Sequence, residues 1–411
     1  MEEQNVQKKN WLNSNILILG FVSLLTDISS EMIFSLLPIF LTTVLGANAA
    51  ILGLIEGIAD GTANILKLVS GWYSDKLGKR KPFVVFGYAL STLTKPFFAL
   101  AGAWQQILFV RFLDRVGKGT RVSARDVIVA NSSEEADMGK AFGFRKAMDA
   151  FGALLGPIFA SILLSYFISQ GVDLPSAYRT IFWIAVIPAV LAVILLFFLR
   201  VKEEDSPSNK LHSFRESLAL LPAQFKLFLG IVFLFSVANF SYAFFILRTQ
   251  DVGVSLALIP LLYALYNGVY TVSAFPIGML ADKLGTKRLI YASYFLFALI
   301  CLGFAFLAQN FLALIILFAL YGIFDAIRQT VQRAYIAETI PHEIMGTAMG
   351  VHSGAEGAGA LLASILAGLF WSISAFGVPL TFLFSAFIAL ISALALVFLI
   401  DGAKTKAKIQ T

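Results

Sequence analysis

Ionised side chains recur inside stretches that are otherwise apolar, and their spacing is helical. Asp27 and Glu31 stand four apart, and Glu56, Asp60, Asn64 and Lys67 follow at spacings of four, four and three. Arg111, Asp114, Arg115 and Lys118 recur at three and four, and Arg145 and Asp149 again stand four apart. Such spacings put each set on one face of a helix. An ionised group at the centre of a spanning helix costs about 2.5–3.5 kcal/mol even on the lenient insertion scale, so lipid cannot face these stripes and they are expected to line an interior. Carboxylates that exchange desolvation for a cationic neighbour take up or release protons. Asp27, Glu31, Asp60, Arg111 and Asp114 are therefore the candidates for proton coupling. Ion pairs that only hold helices together are the plain alternative, and it weighs most for Arg121, Arg125 and Asp126.

A second group of polar residues lies further along the chain and is poorer in charge. It comprises Asn239 and Tyr242, then Tyr263, Tyr266, Asn267 and Tyr270, then Asp325, Arg328, Gln329, Gln332 and Arg333, and finally His352 and Glu356. The tyrosines share a face. Buried packing explains such a stripe, and opposite a charged wall it also suits an amphiphilic organic solute. The candidate solute contacts are Glu56, Lys67, Lys95, Arg115, Arg145 and Asp149 from the first group. Asn239, Tyr242, Tyr266, Asn267, Tyr270, Gln329, His352 and Glu356 join them from the second. His352 and Glu356, four apart, could be a metal pair, a proton relay or a satisfied buried pair; two ligands without a cysteine make a weak metal case, and neither metal nor cofactor is expected.

These residues need helices to position them. Of the 411 residues 58% are hydrophobic and 14% charged, against roughly 25% charged in soluble domains, and the mean hydropathy is +0.82. A span takes roughly 20 apolar residues, which leaves room for about twelve. Apolar runs bounded by polar turns predict helices near 15–41, 50–74, 83–102, 105–130, 140–169, 178–200, 221–247, 255–281, 288–307, 310–338, 345–372 and 377–400. Lys8 and Lys9 before the first run resemble a secretory signal, but Asp27 and Glu31 interrupt the run and no small-residue cleavage pattern follows, so a retained helix is expected. Cys301 is alone and excludes an internal disulfide. The net charge of +6 sits in short connections, where the positive-inside rule accounts for it, and nucleic-acid binding is not expected. Lys76, Lys79, Arg80 and Lys81, then Arg200, Lys202, Lys210 and Arg215, then Lys283, Lys287 and Arg288 fall on one side with both termini. The other side has Arg179 and Arg248. Both ends and the loop 201–220 are thereby expected on the cytoplasmic side.

An internal repeat organises the chain. The stretch Gly71-Trp-Tyr-Ser-Asp75-Lys-Leu-Gly78-Lys-Arg80 returns 207 positions later as Gly278-Met-Leu-Ala-Asp282-Lys-Leu-Gly285-Thr-Lys287. At the same offset Phe142-Gly143 meets Met349-Gly350, and Gly152-Ala-Leu-Leu meets Gly359-Ala-Leu-Leu. Two six-helix halves in the same orientation are expected to hold a solute near the midplane and rock against each other. The expected parts are residues 1–200, a linker 201–220, and residues 221–411.

The repeated loop resembles the signature loop of the major facilitator superfamily. Arg111-Phe-Leu-Asp114-Arg115-Val-Gly117 is similar to the fourth-helix motif of its proton-coupled drug exporters, with Asp114 and Arg115 in place of their Gln-Gly. Gly152-Ala-Leu-Leu-Gly156-Pro157 is similar to their fifth-helix antiporter motif. The resemblance spans the whole chain. It implies an all-α membrane protein of twelve transmembrane helices in two pseudo-symmetric bundles. It further implies a cytoplasmic gate of Gly71, Asp75, Gly78, Arg80 and Asp126, with Gly278, Asp282 and Gly285 as the weaker counterpart. Asp75, Arg80 and Asp126 would lock the outward-facing form.

No Gly-rich loop ending in Gly-Lys-Ser/Thr occurs, so ATP is not the expected energy source. The expected activity is proton-coupled secondary transport of a small amphiphilic or anionic organic solute across the cytoplasmic membrane by a monomer in the lipid bilayer. The fifth-helix motif favours efflux by antiport; the cations Lys67, Lys95, Arg111, Arg115 and Arg145 suit the alternative, proton symport of an anion such as a polycarboxylate or siderophore. A membrane-embedded enzyme is a more distant reading, because His212, His342 and His352 lie far apart in topology. A passive channel or receptor leaves the matching gate loops without a purpose.

Overall fold

Apolar chain inside a bilayer must satisfy every backbone polar group internally, and continuous helices do this. The computed structural model describes residues 12–77, 79–134, 137–201, 218, 220–341, 344–373 and 376–397, and among them there is no strand. The first bundle holds α1 (Ser14–Val44), α2 (Ala49–Leu77), α3 (Lys81–Leu100), α4 (Trp104–Asn131), α5 (Met138–Ser169) and α6 (Leu174–Phe197). The second holds α7 (Ala223–Asp251), α8 (Ile259–Leu284), α9 (Thr286–Phe306), α10 (Phe311–Thr339), α11 (Met345–Ile373) and α12 (Gly377–Ala395). Lys8, Lys9, Gly78, Lys202, His212, His342 and nearly all of the linker 201–220 lie outside the described residues, as do the side chains of Asp75 and Lys76.

Caps set several starts. The Asn13 side chain accepts hydrogen bonds from the Asn15 and Ile16 N–H groups at 3.1 and 3.2 Å, and Asn310 does the same for Leu312 at 2.8 Å. Asp173 accepts from the Ser176 N–H at 3.0 Å, which holds its carboxyl below the usual carboxylate range. Gly285 ends α8 at φ 86°, a left-handed conformation that a side chain would strain.

Two long helices are not continuous. α1 runs as Ser14–Phe34, then Leu37–Ile39, then a π-helical turn Phe40–Val44. The predicted unbroken segment 221–247 is in fact Ala223–Ala238 and Ala243–Asp251, separated by a break at Asn239, where ψ is 77°. The polar residues Asn239 and Ser241 sit where the backbone turns away from helical geometry.

Among the described residues ten helical runs are long and apolar enough to cross a membrane. α4 and α8 are not among them, because α4 carries the Arg111 to Lys118 stripe and α8 carries Asn267 among three tyrosines. Phe97, Phe109, Val272, Phe275 and Phe387 are exposed, which suits surfaces turned to hydrocarbon.

The repeat is realised in packing. α1 packs on α5 and α6, α2 on α4, and α3 on α4 and α6; in the second half α7 packs on α11 and α12, α8 on α10, and α9 on α10 and α12. Adding six to each helix of the first set produces the second. The halves meet along two seams, α2 on α11 and α5 on α8, which also exchange under that operation.

Small residues make the first seam tight. A Cβ at Gly53 would strike the Ser364 carbonyl oxygen, one at Gly57 would lie 2.9 Å from the Leu361 oxygen, and one at Gly368 would lie 2.5 Å from the Ala49 oxygen. Across the second seam the Ser161 hydroxyl donates to the Ala257 carbonyl at 2.6 Å. These contacts lie toward the face opposite the chain ends. Toward the face of the chain ends, a Cβ at Gly139, Gly143, Gly346 or Gly354 meets nothing within 4 Å, and the halves part.

Candidate functional site

The parting leaves a polar crevice between the bundles. Its deeper chamber, about 380 Å³, is walled by α1, α2, α4, α7, α8, α10 and α11, and the chamber nearer the chain ends, about 280 Å³, by α1, α2, α3, α4, α5, α8 and α10. Lys67, Lys118, Gln329 and Arg333 line both, so the two chambers adjoin.

The deeper chamber is unevenly neutralised. In the second half Arg328 reaches the Asp325 carboxylate at 2.7 Å and Glu356 at 2.5 Å, while Gln329 donates to Asp325 at 2.8 Å. His352 sits 3.6 Å from Glu356 and 3.1 Å from Gln332, which in turn donates to the Tyr294 hydroxyl at 2.9 Å. The Tyr266 hydroxyl donates to Asp325 at 2.7 Å. This wall is a closed network of a cation between two carboxylates. Three cations of the first half, and Arg333 of the second, are different. Lys67 bonds only Asn64, at 2.9 Å, and among the described residues no carboxylate lies within ion-pair distance of Arg115, Lys118 or Arg333. Arg115 is only 6% exposed and its Nε has no hydrogen-bond partner; Glu31 Oε2 and Asn239 Oδ1 are likewise buried without one. Buried polar atoms are normally satisfied, so unpartnered ones around a cavity point to a ligand site.

The chamber's other face is aromatic. Tyr242 stacks on Tyr263 with ring centroids 4.7 Å apart, Tyr263 on Tyr266 at 5.6 Å, and Tyr266 on Tyr321 at 4.7 Å. Nearer the chain ends, Arg125 and Arg145 share Asp126 at 3.2 and 3.7 Å, and Arg145 holds Asp149 at 2.7 Å. Asp126 thus pairs within its own half in this form. The Lys146 ammonium lies 5.6 Å from the Tyr270 ring centre, a cation–π contact across the second seam.

Of the expected proton-coupling residues, Asp27, Glu31 and Asp60 line the crevice, and Arg111 and Asp114 do not. Arg111, fully buried, holds Glu56 through Nη2 at 2.9 Å and Nε at 3.2 Å, with its guanidinium carbon 3.8 Å from the Phe34 ring centre. Asp114 accepts from the Ser91 hydroxyl, and Lys95 donates to Ser30 at 2.7 Å. Glu56, expected to touch solute, is buried where the two bundles meet, bonded to Arg111 and Ser241, and Lys95, also expected to touch solute, is sealed within the first bundle; neither lines the crevice. The physical reason for Glu56 and Arg111 is register, since their stripes continue past the crevice toward the closed end; Lys95 stands on α3, which does not wall the deeper chamber. The other expected solute contacts, namely Lys67, Arg115, Arg145, Asp149, Asn239, Tyr242, Tyr266, Asn267, Tyr270, Gln329, His352 and Glu356, all line it.

At the expected gate, Gly71 lies in the last turns of α2, Arg80 precedes α3, and Asp282 is exposed at the end of α8 beside Gly278 and Gly285. The Asp75 side chain and Gly78 are outside the described residues. Sequence reasoning placed Lys118, Asp325, Arg328 and Arg333 on stripes without assigning them to the site. It missed Ser241, Lys146 and Tyr321 altogether. The polar run from Asn239 to Tyr242 was the available signal for Ser241.

With this geometry in hand, kinship can be stated. The sequence profile of the Major Facilitator Superfamily matches residues 19–249 and 227–411. An uncharacterised MFS-type transporter of Methanocaldococcus jannaschii is 39% identical over 97% of this chain and 98% of its own length. A probable 4-methylmuconolactone transporter of Cupriavidus pinatubonensis is 27% identical over 47% of this chain and 43% of its own length. Among solved structures, a mutant of the nucleoside transporter NupG superposes with a TM-score of 0.79 at 15% identity, covering 94% of this chain and 99% of that one, which is a likeness of fold. The chain is a multi-pass membrane transporter rather than an enzyme, and it belongs to the Major Facilitator Superfamily.

Proposed function

We propose that this protein is a proton-coupled secondary active transporter that moves a small amphiphilic or anionic organic solute across the cytoplasmic membrane by alternating access. The observation that carries the reading is the polar crevice between two related bundles, tightly packed toward one end and parted toward the other, whose charged lining is only partly neutralised among the described residues. Twelve spanning helices, a first domain to residue 200, a connector at 201–220 and a second domain from 221 fit that cycle, with the protein working as a monomer. The Lys/Arg bias puts both termini in the cytoplasm, so the open end is the inward-facing one. Asp27, Glu31 and Asp60 are the proton acceptors, since they line the path and, among the described residues, have no ion-pair partner within hydrogen-bonding distance.

Exchange of solute for protons is supported by the fifth-helix motif. A Cβ at Gly152 would lie 2.9 Å from the Asp27 Cβ, and one at Gly156 would lie 2.8 Å from the Glu31 Cβ, so the motif glycines seat α5 directly on the acidic face of α1. Cotransport of an anion with protons is the second reading, favoured by the free cations Lys67, Arg115, Lys118 and Arg333. Proteoliposomes with an entrapped pH dye separate the two on addition of external solutes from a panel of organic anions, cations and neutral compounds. Cotransport acidifies the lumen and exchange makes it alkaline. Solute counterflow with no proton movement for any compound would remove the coupling from the proposal.

A further inference from the structure

The charges in the deeper chamber specify its occupant more closely. Arg115 and Lys118 of α4 and Arg333 of α10 each lie within electrostatic reach of Lys67 of α2, so the cluster draws on both halves. The carboxylates of Asp325 and Glu356 are already paired with Arg328. Of the remaining acids, Glu31 and Asp60 line this chamber, and Asp27 lies in the adjoining one. With every lining group ionised and His352 neutral, the five cations and four carboxylates of the deeper chamber leave one positive charge; with protons on Glu31 and Asp60 they leave three. Like charges held together in a partly dry space repel strongly, and a bound anion relieves that repulsion.

We infer that the chamber binds an organic anion bearing two or more negative charges, held at its charged end by Lys67, Arg115, Lys118 and Arg333 and along its planar body by the stacked Tyr242, Tyr263, Tyr266 and Tyr321, and that protons on Glu31 and Asp60 bind together with it. This rests on the crevice being the solute path and sides with cotransport. Arg115 anchors the site: it is almost wholly buried, one of its nitrogens lacks a partner, and its guanidinium carbon lies 5.0 Å from the Phe34 ring centre. A guanidinium presents a fork of donors that matches carboxylate, phosphate or sulfonate oxygens. The tyrosine faces supply a flat surface for a conjugated or aromatic body. Because Arg333 belongs to the second half and the other three cations to the first, one anion bridges both bundles. Proton and anion cooperate because each proton on Glu31 or Asp60 removes a negative charge from the anion's own pocket.

The test uses the purified full chain and probes whose charge does not change with pH: 1,3-benzenedisulfonate, benzenesulfonate, ethane-1,2-disulfonate and neutral benzenesulfonamide. Thermal unfolding and calorimetric titration at pH 5.5 and 8.0 read binding, and titration in buffers of different ionisation enthalpy counts protons. The aromatic disulfonate is expected to bind at least tenfold more tightly than the monosulfonate and more tightly than the aliphatic disulfonate, while the sulfonamide gives no stabilisation. Its binding should take up protons and be at least tenfold tighter at pH 5.5. Lys67→Gln and Arg333→Gln should each weaken it about tenfold or more, with Arg333→Lys recovering most of the loss. Glu31→Gln combined with Asp60→Asn should abolish the pH dependence, whereas His352→Gln should keep it. Equal binding of the neutral probe, proton release on binding, or full disulfonate affinity in both Gln variants would overturn the inference, and the wild-type probe series decides it even where a variant fails to fold. Disulfonate binding without proton movement in vesicles would uphold this site and remove the transport coupling; proton-linked flux of a neutral or cationic solute without disulfonate binding would do the reverse.

Discussion

Glu56 of α2 and Ser241 at the break in α7 share a hydrogen bond of 3.0 Å, donated by the serine hydroxyl across the boundary between the bundles. The same carboxylate oxygen accepts from Arg111 at 2.9 Å, so one buried acid both satisfies a buried guanidinium in its own half and ties the two halves at their sealed end. Opening that end must break the Ser241 bond while leaving the Arg111 pair intact.

Ser241→Ala therefore removes a link present only while this end is closed. A hydrogen bond to a charged group contributes about 1.5–3 kcal/mol, so the equilibrium should move at least about tenfold toward the form open at the other end. Accessibility of a cysteine introduced at Thr42, on the sealed side, measures it, and an unchanged labelling rate would count against the latch.

Glu56→Ala is a different lesion. It leaves Arg111 as an uncompensated buried charge beside Phe34, and breaking such a pair costs about 3–5 kcal/mol. A large drop in the unfolding temperature in detergent is expected, well beyond that of Ser241→Ala.

Gly53→Val should wedge the first seam, because even a Cβ there meets the Ser364 carbonyl oxygen, which is backbone and cannot rotate away. Gly354→Ala, where a Cβ meets nothing within 4 Å, is the control and should leave labelling on the sealed side unchanged. Equal effects of the two substitutions would argue against close packing as the basis of the seal.

Asp27→Asn is expected to abolish gradient-driven accumulation while preserving solute counterflow and the folded yield in membranes, since Asp27 lines the crevice and has no ion pair to lose among the described residues. Retention of gradient-driven accumulation would remove it from the coupling role.

Cys301 is fully buried within the second bundle, so polar maleimides should leave the native protein unlabelled until it unfolds. Labelling of the wild type under native conditions would contradict that burial and would also remove the clean background the cysteine experiments need.

The all-helical membrane fold, the internal repeat and most of the crevice lining were legible in the sequence, because the cost of charge in hydrocarbon leaves a periodic trace that needs no partner to be read. Asp27, Asp60, Lys67, Arg115 and Arg145 announced themselves by spacing alone. Glu56 and Arg111 carried the same trace and yet are sealed together, because spacing reveals which helix face turns inward but not how far along that face the crevice extends. Ser241 left only the faint trace of its neighbours Asn239 and Tyr242, since a serine in a spanning helix is ordinary until the chain breaks beside it.

What this sequence settled by itself is that the chain is a paired helical bundle with an ionised interior, for burial energetics are local and additive enough to be written residue by residue. Which cations pair, which stay free and which end is closed were decided only by the tertiary structure. Those outcomes depend on distances between helices remote in sequence, and there a shift of a few ångströms separates a neutralised ion pair from a free charge.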